Sequence, residues 1–64
     1  MTSGQQHDVL YTIWSAARAE ANLAYSAWCD APGTLSYAVY LAAEDRADAA
    51  EQALAVTARQ LVAA

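Results

Sequence analysis

The sequence predicts an all-α fold, an antiparallel two-helix hairpin whose helices meet along an alanine-rich coiled-coil seam. The hairpin is expected to dimerise into a four-helix bundle. Three observations predict the hairpin. Eighteen of the 64 residues are Ala, the residue with the highest helix propensity. One Pro-Gly step stands at the middle of the chain, and on both sides of it small and apolar residues recur at alternating spacings of three and four. The 64 residues therefore form one helical-hairpin domain.

The first helix is predicted over about residues 5–30. Its seam, the face that packs against the second helix, follows the three-and-four spacing and contains Leu10, Trp14, Ala17, Ala21, Ala24 and Trp28. Residues at this spacing lie on one face of a helix, so we expect all six to point toward the second helix. A turn is predicted at residues 31–33, Ala-Pro-Gly, because Pro disfavours helical conformation in the residue before it.

The second helix is predicted over about residues 34–62, with Thr34 as its N-cap. Its seam contains Tyr40, Ala43, Ala47, Ala50, Leu54 and Leu61. When the chain folds back at Pro32, large seam residues lie opposite small ones at both ends of an alanine waist, which we define as Ala17, Ala21, Ala43 and Ala47. This pattern lets the two backbones approach closely.

A second apolar surface lies to one side of the seam, and we call it the aliphatic face. It comprises Val9, Ile13, Glu20, Leu23, Leu35, Val39, Arg46, Ala53 and Val56. Glu20 and Arg46 are expected to lie opposite each other as an ion pair, and on the other flank Arg18 can reach a carboxylate of the second helix. A two-helix hairpin leaves the aliphatic face in water, and apolar surfaces of this extent are typical of association sites. We therefore expect a homodimer.

Charge and composition argue against several classes of partner. The net charge is −4 and the sequence contains three Arg and no Lys, so it lacks the basic cluster that nucleic-acid binding requires. No run of about 18 apolar residues is free of charge, so a membrane span is not expected. The first residues lack a secretory-signal pattern and Cys29 is the single cysteine, which together favour a cytoplasmic location.

The residues that could carry chemistry are few and dispersed. His7 and Cys29 are separated by roughly 30 Å along one helix, too far apart for a catalytic dyad. The acidic face, Glu44, Asp45, Asp48 and Glu51, lacks the Glu-x-x-His pattern of helical carboxylate metal sites and is interpreted as a solvated stripe. The Tyr and Trp residues at helical spacing are interpreted as core and interface. We expect no catalytic residues, no metal and no cofactor.

The run AYSAWCDAPGTLSYAVYLAAEDRADAAEQALA, residues 24–55, resembles short alanine-rich helical proteins of high-GC actinobacteria. The resemblance rests on the Ala-Trp, Pro-Gly, Tyr-Ala-Val-Tyr and Asp-Arg-Ala-Asp-Ala-Ala segments and covers half the chain. It implies a helical architecture and an actinobacterial origin, and no activity comes with it.

Two functions fit these observations. The first is a non-enzymatic protein–protein interaction module that acts as a helical-hairpin homodimer and binds a further, unidentified protein. The alternative is a small acidic inhibitor or regulator that occupies the basic nucleic-acid-binding surface of a partner protein, in which case the acidic face would make the contact.

Overall fold

A computed structural model describes the backbone of residues 3–63 and the side chains of residues 5–63. It contains two helices, α1 (Ser3–Asp30) and α2 (Thr34–Ala63), and no strand within residues 3–63. The all-α prediction is confirmed. The longest dimension is 47 Å, whereas one continuous helix over these residues would measure about 90 Å at 1.5 Å per residue. The chain therefore folds back on itself, in agreement with the expected hairpin.

Backbone hydrogen bonds define the turn between the helices. The Ala31 amide donates to the Ala27 carbonyl at 3.0 Å, and the Tyr37 amide donates to the Gly33 carbonyl at 3.0 Å. Since the N-cap carbonyl is the first acceptor in a helix, Gly33 occupies the N-cap of α2 and Thr34 is the first helical residue. The expectation that Thr34 is the N-cap is therefore wrong by one residue.

The Ser36 hydroxyl also stabilises the turn. Its Oγ lies 2.9 Å from the Ala31 carbonyl oxygen and 3.1 Å from that of Gly33, so it can donate to either. The Ala31 carbonyl lies in the break between the helices, just beyond the end of α1, whereas the Gly33 carbonyl also accepts from the Tyr37 amide. A serine near the start of α2 thus helps to hold the end of α1 against it.

Gly33→Ser is expected to raise the free energy of unfolding by about 0.5–1 kcal/mol, because Ser is a better N-cap than Gly and restricts the unfolded chain. The φ of Gly33 lies outside the left-handed region, and an added Cβ would meet only Ser36 Oγ, at 3.9 Å. Thermal unfolding followed by circular dichroism measures the effect as a rise of several degrees in Tm. A fall in Tm would show that this position needs glycine.

The core of the hairpin is the alanine waist. Ala21, Ala43 and Ala47 are at most 2% exposed, and Ala17 and Ala24 pack against them. Thr57 is also buried, and its hydroxyl donates to the Ala53 carbonyl at 3.0 Å, so this polar group is satisfied. No side chain larger than Ala is fully buried among residues 5–63.

The larger seam residues cover the waist without being enclosed by it. Leu10, Trp14, Trp28, Tyr40 and Leu54 are half-buried, as is Ala50, whereas Leu61 near the end of α2 is exposed. Two packed helices form a single layer of contact, so each large side chain has protein on one side and water on the other. Apart from the three buried alanines, the predicted seam residues therefore keep exposed surface.

The hairpin therefore exposes more surface than a compact chain of its mass. Its accessible area is 4566 Å² for 6.8 kDa, whereas a compact monomer of that mass exposes about 4,000 Å². The radius of gyration is 14.6 Å, against about 11 Å for a compact 64-residue domain. The excess surface is available for association.

Candidate protein-interaction surfaces

The aliphatic face is exposed along the length of the hairpin. Its six large aliphatic side chains, Val9, Ile13, Leu23, Leu35, Val39 and Val56, are between 43% and 79% exposed, and Ala53 is exposed as well. Helical spacing places all of them on the flank that also carries Glu20 and Arg46. The result is an apolar strip on both helices with a single pair of opposite charges between its two ends.

That pair forms a loose contact. Arg46 Nη2 lies 3.6 Å from Glu20 Oε2, longer than a hydrogen bond, and the two side chains are 59% and 64% exposed. The predicted pairing of Glu20 with Arg46 is thus present in the structure. An ion pair this open to water contributes little to the stability of the hairpin.

The ion pair on the opposite flank is closer and better shielded. Arg18 binds Glu44 through both ends of its guanidinium, with Nη1 at 3.3 Å from Oε2 and Nη2 hydrogen-bonded to Oε1. The hydrogen bonds that Arg18 donates to Glu44 raise the pKa of Arg18, desolvation opposes this shift, and the charges of Glu44 and Asp48 add to it. The expectation that Arg18 reaches a carboxylate of α2 is confirmed, and that carboxylate is Glu44.

This pairing divides the acidic face. Glu44 is half-buried beside Arg18, whereas Asp45, Asp48 and Glu51 are exposed. Three of the four carboxylates of the predicted acidic face therefore remain open to a basic partner. Among the described residues, no group of three or more His, Cys, Asp or Glu side chains is placed to hold a metal ion.

Four rings form a turn-end aromatic cluster, Tyr25, Trp28, Tyr37 and Tyr40. Trp28 stacks on Tyr40 with centroids 5.6 Å apart and planes 9° apart, and its centroid lies 4.9 Å from that of Tyr37. Tyr25 meets Tyr40 edge to face at 5.5 Å. About half the surface of Tyr25 and of Tyr37 remains exposed. Such clusters of Tyr and Trp, apolar with polar tips, are typical of protein interfaces.

Sequence reasoning missed this cluster because it placed large seam residues such as Trp28 opposite small ones. Long side chains of a helix lean toward the N-terminus of that helix. In an antiparallel pair, Trp28 therefore leans away from the turn and Tyr40 leans toward it, so the two rings meet. The direction in which each side chain leans was the signal that could have found the contact.

The two residues with the strongest chemistry lie apart. Cys29 is a free, exposed thiol at the turn end of α1, and His7 lies near the other end of the same helix. Cys29 is four residues from Tyr25, and a hydrogen bond between them, followed by the charge of Cys29, raises the pKa of the Tyr25 phenol. The distance along α1 is about 33 Å from His7 to Cys29 at 1.5 Å per residue, so they do not form a dyad within one chain.

An open depression of about 310 Å³ lies near the end of α2, lined by Ala58, Arg59, Val62 and Ala63. All four residues come from one helix, and Arg59 is the only one with a polar side chain. Small-molecule sites instead enclose their ligand and place several polar groups around it.

Neither helix, over the residues that the structure describes, has an apolar stretch that could span a membrane.

No protein-family model, curated protein or solved structure matches the chain. The resemblance to alanine-rich actinobacterial proteins stays a prediction.

Proposed function

We propose that the chain is a non-enzymatic protein–protein interaction module that acts as a cytoplasmic helical-hairpin homodimer. In this proposal the aliphatic face binds the second copy, and the opposite side presents the turn-end aromatic cluster and the exposed carboxylates to another protein. One observation carries the proposal: the aliphatic face is exposed on both helices, although the core contains only three almost fully buried alanines beside Thr57.

The size of the face suits a homodimer. The hairpin measures 47 Å by 14 Å along one side, so a dimer that covers this whole side buries at most about 1,300 Å², near the lower end of the range for specific interfaces. Dimerisation would also bury apolar surface and so stabilise the folded chain. A domain of about 60 residues by itself has few buried apolar groups to offset the entropy lost on folding.

The dimer is tested by sedimentation equilibrium with a matched pair of variants. Leu23→Ala removes an exposed Leu from the aliphatic face, and Leu41→Ala removes an exposed Leu that helical spacing places on the other flank. We expect a wild-type dimer at tens of micromolar and a dissociation constant raised about fivefold or more by Leu23→Ala, since truncating a buried interface side chain costs about 1 kcal/mol or more. Leu41→Ala should leave the constant unchanged. A monomeric wild type would contradict the proposal.

The partner-binding part is tested by affinity capture from a native lysate of the source organism. The bait is the wild-type dimer, and the controls are Tyr25→Ala with Tyr37→Ala and, separately, Asp48→Asn with Glu51→Gln. Loss of a captured protein in the tyrosine variant, with dimerisation intact, supports the proposed surface. Loss only in the carboxylate variant, with binding that weakens as salt rises, would favour the acidic inhibitor instead. Capture of no protein by the wild type would contradict the partner-binding part.

A further inference from the structure

We infer that the two copies pair with their turns at the same end of the bundle, so that α1 of each copy lies against α2 of the other. This inference rests on the proposed homodimer and adds the orientation of its subunits. It follows from the positions of the two charges on the aliphatic face. Only one of the two symmetric ways of pairing two copies brings opposite charges together.

The charges lie side by side between the two ends of the face. Glu20 and Arg46 face each other across the groove at 3.6 Å. The large aliphatic residues extend in both directions from this pair, to Val9 and Val56 at the open end and to Leu35 at the turn end. Viewed from the partner, the face therefore carries a negative charge on α1 and a positive charge on α2 at the same height.

Two copies that meet through the same face are related by a two-fold axis in the plane of contact. When that axis runs parallel to the helices, the turns of both copies lie at the same end of the bundle. Each α1 then lies opposite α2 of the other copy. Glu20 of each copy then faces Arg46 of the other, and four alternating charges form a closed ring. Each side chain gains a second opposite charge while the surrounding aliphatic groups exclude water.

When the axis runs across the helices, the turns point in opposite directions and each helix faces its own copy. Glu20 then lies near Glu20 and Arg46 near Arg46. Bringing like charges together in a partly desolvated interface is unfavourable. Salt screens partly buried charges much less than exposed ones, so only a long slide of one copy along the other would relieve the repulsion. That slide would return part of the aliphatic face to water.

Side-chain volumes permit the arrangement in which the turns share an end, but they do not select it. That arrangement places Leu23 opposite Ala42 of the second copy and Ile13 opposite Ala53, since these residues lie at equal height on the two helices, whereas the opposite arrangement places Leu23 near Ala16 and Ile13 near Ala27. A large residue over a small one lets helices approach to ordinary packing distance. Ala42 and Ala53 are exposed in the hairpin, so nothing in the same chain occupies the space above them.

The orientation has a consequence for partner binding. Both turn-end aromatic clusters lie at one end of the bundle, on opposite sides of it. A partner that approaches this end meets two copies of Tyr25 and Tyr37, whereas in the opposite orientation the two clusters are displaced from each other along the bundle by roughly 20 Å. A bivalent partner would gain affinity from the shared end without any new contact.

The test is a distance between spin labels measured in the full-length dimer by pulsed electron resonance. Cys29→Ser removes the native thiol, and Gly33→Cys places one label in each turn. We expect a distance within about 25 Å once the label arms are included, because the turns share an end. A distance of about 40 Å or more, set by the 47 Å length of the hairpin, would overturn the inference.

A second label gives an independent reading at the other end. Ala63→Cys in the Cys29→Ser background lies at the end of α2 and should give a distance within about 30 Å, against about 50 Å for opposite orientations at 1.5 Å of helix rise per residue. Sedimentation of each labelled protein separates the possible failures. A monomer would overturn the proposed homodimer itself, whereas a dimer with long distances at both labels would overturn only the orientation.

Discussion

Ala47→Leu is expected to lower the free energy of unfolding by about 1–3 kcal/mol, the usual cost of inserting methylenes into a filled core. Ala47 is 1% exposed and lies in the alanine waist with Ala21 and Ala43, which are 0% and 2% exposed. A leucine there has to push the helices apart or adopt a strained rotamer. Ala21→Leu should behave in the same way from the other helix. Denaturant unfolding followed by circular dichroism measures both changes.

The matched control is Ala38→Leu, at an exposed position of α2 that helical spacing places on the outer side. It adds the same atoms to the same helix, and Leu has nearly the helix propensity of Ala, so stability should change by less than about 0.5 kcal/mol. Equal stability of Ala47→Leu and wild type would show that position 47 has free space around it. The close approach of the two helices at the waist would then be disproved.

Arg46→Ala is expected to weaken the homodimer by about 1–3 kcal/mol, or roughly 5- to 150-fold in the dissociation constant. In the hairpin, Arg46 and Glu20 are about 60% exposed, so the pair has little effect on a monomer. In the proposed dimer they would be partly desolvated among aliphatic side chains, and removing one charge would leave the other without a partner. Arg59→Ala removes an arginine from an exposed position off the aliphatic face and should leave the constant unchanged.

The double variant Glu20→Leu with Arg46→Met separates this explanation from a general loss of packing. Both charges are replaced by apolar groups of similar size, so no charge is left uncompensated, and the dimer affinity should return close to that of wild type. Analytical ultracentrifugation of the four proteins supplies the comparison. If Arg46→Ala and Arg59→Ala dimerise equally well, the aliphatic face does not form the interface.

Much of the fold and of the two surfaces could be predicted because it depends on local spacing. Ala-rich composition and a single Pro-Gly step determine two helices and a turn, and the three-and-four periodicity determines which residues share a face. The fully buried alanines, Ala21, Ala43 and Ala47, are all seam residues, and the large side chains of the aliphatic face are all exposed. Periodicity is a property of one helix, so it can be read without knowing what the helix packs against.

The details that depend on two helices together could not be read in this way. The sequence allowed Arg18 to pair with more than one carboxylate, and only the closed hairpin brought Glu44 into contact with it. Trp28 stacks on Tyr40 because both rings lean along their own helices, and Gly33 is the N-cap of α2 because its carbonyl accepts the first helical hydrogen bond.

The sequence by itself determined the two helices, the turn, the seam and the separation of an aliphatic face from a charged and aromatic side. Only the tertiary structure decided which carboxylate of the acidic face pairs with Arg18, how four rings assemble at the turn, and how little of the chain is fully buried. The physical reason is that local spacing sets the direction of a side chain from its own helix. Its partner and its exposure depend on the distance and relative height of the other helix, which arise only when the chain folds back.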